Sequence, residues 1–177
     1  AVGHDVEADA SWRLDASVRP IPPNTLSRRA GSRAVTVPER FRRDSPGFKS
    51  TSYFGAVAAL RHARRSGGDE GLFTDGGLYV EGASTGLVAW NGGRLAGLGP
   101  GGLPSVTAEA FLDGAGERRG LDREELLSGG ILLGSLTTAV PLLSLDGIEC
   151  VRPPAMLRAC EAFRQRLRAD AALQKRL

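Results

Sequence analysis

Chemistry that depends on cysteine or histidine has little to work with in this chain. Cys150 and Cys160 are the only cysteines, on what read as different elements, and their spacing fits neither a disulfide framework nor a metal site. His4 and His62 are the only histidines and have no Cys or carboxylate cluster beside them, so no metal is expected. A reducing, cytoplasmic setting is the matching expectation. Long hydrophobic runs are also missing: the longest apolar region, GGILLGSLTTAVPLLSL, is broken by Gly134, Thr137, Thr138 and Pro141 and reads as two strands joined by a turn, not a membrane span. The N-terminus has neither a basic start nor an apolar h-region, so no signal peptide is expected. It also lacks an initiator Met, which suggests a processed chain or a fragment.

Aromatic residues make up 6% of the sequence, and their scarcity matters most where the arginines gather. Arg28, Arg29, Arg33, Arg40, Arg42 and Arg43 fall in one segment with Phe41 as its one aromatic, whereas a nucleic-acid groove would interleave several. The segment therefore reads as a basic connector, solvated or facing a second copy, and no nucleic-acid partner is expected.

What is present suffices for one core. The chain has 177 residues, 41% hydrophobic, with a net charge of +3, the profile of a globular domain. Residues 1–48, rich in Pro and Arg, read as a loosely structured lead-in with short extended candidates at SWRLDASVRPI and RAVTVP. TSYFGAVAALRHARRSGG predicts a helix with Val57, Leu60 and Ala63 on one face, stopped at Gly67-Gly68. Two hairpins follow, turning at Asp75-Gly76-Gly77 and at Asn91-Gly92. VTAEAFLDGAGERRG predicts a helix capped by Ser105, and DREELLSGG a shorter one opened by Asp122 with Glu125 in capping-box order. Strands turning at Ser135 to Thr138 and at Asp146-Gly147 come next, then a closing helix with Met156, Cys160, Phe163, Leu167 and Ala171 at helical spacing behind Pro153-Pro154. Without a strict βαβ alternation the class is α+β, or an irregular α/β barrel-like sheet.

Four segments hold residues suited to chemistry. Lys49, in PGFKSTSY, is either a solvated loop lysine or an amine near packed backbone that loses its proton readily and acts as a nucleophile. Glu81, in YVEGASTG, is either a turn residue or a carboxylate for a protonated cofactor ring, and the small residues from Gly82 through Ala83, Ser84 and Thr85 to Gly86 would let a flat ring lie against the backbone. In GLPSVTAEAF, helix-start amides with the Ser105 and Thr107 hydroxyls form either a phosphate seat or a plain cap. Ser135, after Gly134, lies at a turn where it can lend the phosphate a further hydroxyl.

In this order and spacing, KSTSY, GGDEGLF, YVEGASTG, LPSVT and the final strand pair resemble the class IV aminotransferases, a family of pyridoxal-phosphate enzymes that includes aminodeoxychorismate lyase; the match covers about residues 40–150. The resemblance implies the large cofactor-binding domain of a fold-type IV enzyme over residues 36–177, with 1–35 a linker from a small N-terminal domain that this chain lacks. It implies pyridoxal 5'-phosphate as cofactor, Lys49 as the Schiff-base lysine and acid/base, and Glu81 as partner of the pyridine nitrogen. Val106 and Thr107 match the phosphate-binding helix start, Ser135 a further phosphate contact, and Tyr53 the aromatic near the cofactor hydroxyl. It further implies a homodimer acting on a small amino substrate. LPSVT and the strand ending in Trp90 resemble the aminodeoxychorismate lyase branch, which eliminates pyruvate to give 4-aminobenzoate, with an amino-acid transaminase as the alternative. Ala108 stands where the family commonly has Arg, and Ala96-Gly97 where it commonly has Thr-Pro; together with the missing domain these leave a non-catalytic relative as a further reading.

Overall fold

The computed structural model describes residues 18, 20, 21, 25, 27–43, 46–49 and 52–174, the final five by backbone alone. Among these residues the strands are β1 (Ser32–Thr36), β2 (Glu70–Asp75), β3 (Leu78–Gly82), β4 (Gly86–Asn91), β5 (Arg94–Leu98), β6 (Glu117–Arg119), β7 (Gly130–Gly134), β8 (Thr138–Leu145) and β9 (Ile148–Glu149). The helices are α1 (Phe54–Arg65), α2 (Val106–Leu112), α3 (Arg123–Gly129) and α4 (Pro154–Gln174), with 3-10 turns at Arg28–Ala30 and Glu39–Phe41. None of these helices is long and apolar enough to cross a membrane.

Hydrogen bonding orders the sheet β3-β2-β1-β8-β7-β4-β5-β6, with β9 paired to β8. Its two edges meet. Tyr79 of β3 and Leu121, just past β6, exchange backbone hydrogen bonds of 2.8 and 2.9 Å. The result is an α+β fold whose sheet curls almost into a barrel, which pairs edge groups that an open sheet would leave exposed. Both hairpins form as expected: Asp75 pairs with Leu78 and Asn91 with Arg94, leaving Gly76-Gly77 and Gly92-Gly93 as two-residue turns, all four at positive φ.

The middle strands are apolar on both faces because both are covered. Leu132 of β7 joins Leu72, Leu87, Leu126, Val140 and Leu142 in one cluster. Its neighbours Ile131 and Leu133 join Val88, Phe111, Met156, Cys160 and Phe163 in another, built between the sheet and α2 and α4. Phe111 and Phe163 meet there edge to face at 5.1 Å. α3 carries the expected capping box between Asp122 and Glu125. On α4, Met156, Cys160 and Phe163 are buried as their spacing predicts; the Ala171 side chain lies outside the described residues.

Four features depart from the sequence reading. On α1 the buried face is Ala56, Ala59 and Ala63, while Val57 is 42% exposed: the helix sits so close to β2 that small residues, not the larger ones, point inward. α2 ends at Leu112, because Asp113 and Gly114 both take positive φ, and Glu117–Arg119 continues as β6, parallel to β5. β1 is an interior strand, parallel to both β2 and β8, with Ser32 and Ala34 buried; it spans the border expected between residues 35 and 36. The extended candidate at RAVTVP covers most of this strand, but its interior place is not legible there, because five residues among Pro and Arg are too few to show a strand period. The basic segment, finally, is not a solvated connector. Arg28 pairs with Glu70, Arg33 with Asp69, Arg42 with Asp75 and Arg43 with Glu81, so four of its arginines strap the chain to the β2–β3 region. Arg29 donates to the Leu136 carbonyl, and Arg40 lies over the Phe41 ring.

Candidate functional site

A cavity of about 520 Å³ opens between the start of α1, the β3–β4 turn, the start of α2 and the β7–β8 turn. All ten candidate residues line it: Lys49 and Tyr53 beside α1, Glu81, Ser84 and Thr85 around the β3–β4 turn, Ser105, Val106 and Thr107 at the start of α2, and Gly134 and Ser135 at the end of β7. The β3–β4 turn and the β7–β8 turn share one space because β4, which the first turn enters, pairs with β7, which leads into the second.

Each wall has a physical reason. Ser105 caps α2 by accepting the Ala108 N–H at 3.2 Å, so its own hydroxyl proton still has a bond to give. Val106 and Thr107 occupy the first helical positions, whose N–H groups have no acceptor within the helix. α2 reaches this position because β4 opens with glycine: a Cβ on Gly86 would lie 2.8 Å from Ser105 Oγ and 3.1 Å from Ala108 Cβ. Ala108, where the resemblance leads one to expect Arg, is fully buried in that contact.

The β3–β4 turn is held from beneath by a residue that the sequence does not single out. Glu70 is completely buried and accepts three hydrogen bonds, from Ser84 N–H at 3.0 Å, Ser84 Oγ–H at 2.7 Å and Arg28 at 3.2 Å. Burial pushes its carboxyl above the usual range, and these donors oppose the rise. The Ser84 proton is thereby committed, and the group offers the cavity only its oxygen. Thr85 differs. Its Oγ1 is buried with no hydrogen-bond partner among the described residues, in a cavity wall otherwise well supplied with bonds.

Glu81 itself is 4% exposed. Arg43 Nε donates to its Oε1 at 2.8 Å, and the Leu103 amide also bonds the carboxylate. Burial raises the Glu81 carboxyl above its ordinary value; Arg43 and Leu103 pull it down, and nearby Glu70 pushes it up. Arg43 also lines the cavity and is the second residue not anticipated. Both had a sequence signal: Glu70 is an acid opening a strand whose first four residues are buried, where a carboxylate requires a partner, and the arginines upstream of Lys49 were available as partners. Lys49 and Tyr53 are exposed at the cavity's rim.

The cavity suits a flat, anionic molecule carrying a carbonyl. It combines a lysine amine, a buried carboxylate, a turn of small residues and a cluster of hydroxyl and amide donors at its other walls. Pyridoxal phosphate has each matching part, and the unpartnered Thr85 hydroxyl is the kind of donor that its phosphate would satisfy. The residues present therefore fit the group.

Among curated protein sequences none matches the chain. Solved structures do. A hypothetical aminotransferase from Mycobacterium tuberculosis, in its PLP-bound form, is 25% identical with a TM-score of 0.73, covering 83% of this chain and 59% of that one. Its form bound to α-ketoglutarate and PMP gives 26% identity and a TM-score of 0.74 over the same shares. The branched-chain aminotransferase from Thermoproteus uzoniensis with norvaline is 25% identical, with a TM-score of 0.70, covering 80% of this chain and 52% of its own. The chain thus spans less than two thirds of the length of these proteins. A family model described as amino-transferase class IV matches residues 3–145, a stretch that contains every residue lining the cavity. The chain belongs to the class IV aminotransferase family, whose members bind pyridoxal phosphate.

Proposed function

We propose that this chain forms the cofactor half of an amino-group-transferring enzyme, and that the cavity is its pyridoxal-phosphate site. The observation that carries this reading is the convergence of Lys49, Glu81 and the unpartnered Thr85 hydroxyl on one cavity. Lys49 would hold the cofactor covalently and Glu81 its ring nitrogen. Thr85, Ser105, Thr107 and Ser135, with the amides of Val106 and Thr107, would hold the phosphate, and Gly134 keeps the β7 end of the cavity free of a side chain. Tyr53 would face the ring from α1. Bound there, pyridoxal phosphate supplies an electron sink for the pair left when the substrate's α-carbon loses a proton. Once displaced from the cofactor by the substrate's amino group, Lys49 would be the base that takes that proton from the α-carbon and the acid that gives it back, while Glu81 would keep the ring nitrogen charged.

Transamination of an amino acid against a keto acid is the better-supported branch, given relatives solved with α-ketoglutarate and with norvaline. The 4-amino-4-deoxychorismate lyase branch rests on LPSVT at the cavity wall and on Trp90, but Trp90 lies with Leu95, Phe111 and Phe163 in a separate groove. Products distinguish them: a keto acid formed with glutamate marks the transaminase, pyruvate with 4-aminobenzoate the lyase. A homodimer is part of the same reading, since Val106 at the cavity wall and Phe54, next to Tyr53, stand 86% and 82% exposed.

The test begins with the chain itself. After addition of pyridoxal phosphate and borohydride reduction, peptide mapping should find the cofactor on Lys49, and Lys49→Ala should lose the adduct while keeping its fold, because the side chain is exposed. An adduct on another lysine, or none in a folded chain, would remove the assignment. In the active enzyme Glu81→Gln should retain the cofactor yet slow turnover by roughly 100- to 1,000-fold, the range seen when one electrostatic contact to developing charge is removed. Unchanged turnover would exclude Glu81 from the ring-nitrogen role.

A further inference from the structure

A carboxylate buried as deeply as Glu81 stays ionised only with nearby compensation. Arg43 supplies it in an unusual way. Its Nε donates to Glu81 Oε1 at 2.8 Å and its Nη2 donates to the Ala83 carbonyl at 3.2 Å. One guanidinium therefore grips the turn at two points, two residues apart, and the ion pair is largely buried, with the Arg43 and Glu81 side chains 16% and 6% exposed. Lysine has no fork to make that double contact.

The other charged groups around Glu81 do not replace it. Glu70, on the adjacent strand β2, adds repulsion, and its own carboxylate is taken up by Arg28 and Ser84. The Leu103 amide is a neutral donor. Lys49 lines the same cavity but is exposed and, on the reading above, committed to the cofactor.

We propose that Arg43 is a positioning residue for the cofactor ring: its two-point bridge to Glu81 and Ala83 holds the Glu81 carboxylate charged and fixed against the β3–β4 turn before any cofactor arrives. This rests on Glu81 meeting the ring nitrogen. The chemical consequence follows from charge. An ionised Glu81 accepts from a protonated ring nitrogen and holds the positive charge there; a protonated Glu81 would donate to an uncharged nitrogen, keeping a hydrogen bond but leaving a weaker electron sink. Arg43 would thus act on the reaction through Glu81 without touching the substrate.

The experiment uses the 177-residue chain, cofactor-free, labelled with carboxyl-¹³C glutamate, with Glu81→Gln to assign the Glu81 resonance. Arg43→Gln should move the Glu81 titration to higher pH than in the wild-type chain. Arg43→Lys, which restores the charge but not the contact to Ala83, should fall between the two. An unmoved Glu81 midpoint in folded Arg43→Gln overturns the proposal. Should Arg43→Gln fail to fold, Arg43→Lys decides: a midpoint equal to wild type shows that the two-point grip is not needed, and a raised one supports it. Pyridoxal phosphate, titrated by absorbance, should bind Arg43→Gln about ten- to a hundredfold more weakly, the size of one lost charge-assisted contact. If the cofactor binds neither protein, the site assignment fails, while the carboxylate titration still reports on Arg43.

Discussion

Thr85 brings folding and binding into conflict at a single atom. A hydroxyl buried without a partner costs roughly 1–3 kcal/mol of folding free energy, and Thr85 Oγ1 is such a group in the chain without cofactor. Thr85→Val keeps the shape and removes the hydroxyl. The cofactor-free variant should therefore be as stable as the parent, or up to about 1 kcal/mol more so, as read from urea denaturation. Its affinity for pyridoxal phosphate should drop about fivefold, the worth of one neutral hydrogen bond. The opposite signs make the test diagnostic. A variant that loses stability and binds the cofactor normally would show a hydroxyl that serves the fold, not the phosphate.

At the scale of elements, α1 shows what the sequence made legible and what it did not. The pattern Val57, Leu60, Ala63 located the helix and its end at Gly67, but it assigned the wrong stripe to the core. Hydrophobicity ranks Val above Ala, whereas the structure needs Ala56, Ala59 and Ala63 inward, because Gly71 of β2 passes so close that its missing Cβ would lie 3.0 Å from the Ala59 carbonyl. That proximity is a tertiary fact with no local trace. Ala59→Leu should accordingly cost about 1–3 kcal/mol through overpacking, while Val57→Ala, at an exposed position on the cavity side, should change stability by less than about 0.5 kcal/mol; equal effects in thermal unfolding would restore the original stripe. Hairpins and caps were legible for the opposite reason. Gly76-Gly77, Gly92-Gly93 and the Asp122–Glu125 box are set by residues next to one another, so their chemistry is written locally. The candidate residues were found through motif order, and the cavity gathers them; Arg43 and Glu70 escaped because each matters only through a partner 38 or 14 positions away.

For the whole molecule, the question is what holds an almost closed sheet together where its elements converge. Beside the Tyr79–Leu121 closure lies a polar knot centred on Asp146, in the turn after β8. Its carboxylate accepts from the Thr36 N–H at 2.6 Å, the Thr36 hydroxyl at 2.8 Å and Arg123 Nη1 at 2.6 Å, joining β1, the β8–β9 turn and α3. The Tyr79 hydroxyl shares a hydrogen bond with Thr36 at 2.7 Å and accepts from Arg123 at 3.2 Å, which ties in the closing edge β3 as well. Burial pushes the Asp146 carboxyl upward, but the Thr36 amide, Arg123 and the Thr36 hydroxyl outweigh it, and it ends below its ordinary 3.8. A carboxyl depressed by folding contributes stability that is fully present above the unfolded value, 3.8, and is lost as pH falls through the lower folded one. Asp146→Asn tests this cleanly, because Asn tolerates the residue's positive φ of 50° while removing the charge that three donors require. Its unfolding free energy at neutral pH should fall by about 1–3 kcal/mol, and the gap to wild type should close progressively as pH drops below 3.8 and through the lower folded value, where the wild-type carboxyl also becomes neutral. Urea denaturation across that range measures both. A gap that stays constant with pH would mean that the knot works through shape alone, and that the charge on Asp146 contributes nothing to keeping β1, α3 and the closing edge in register.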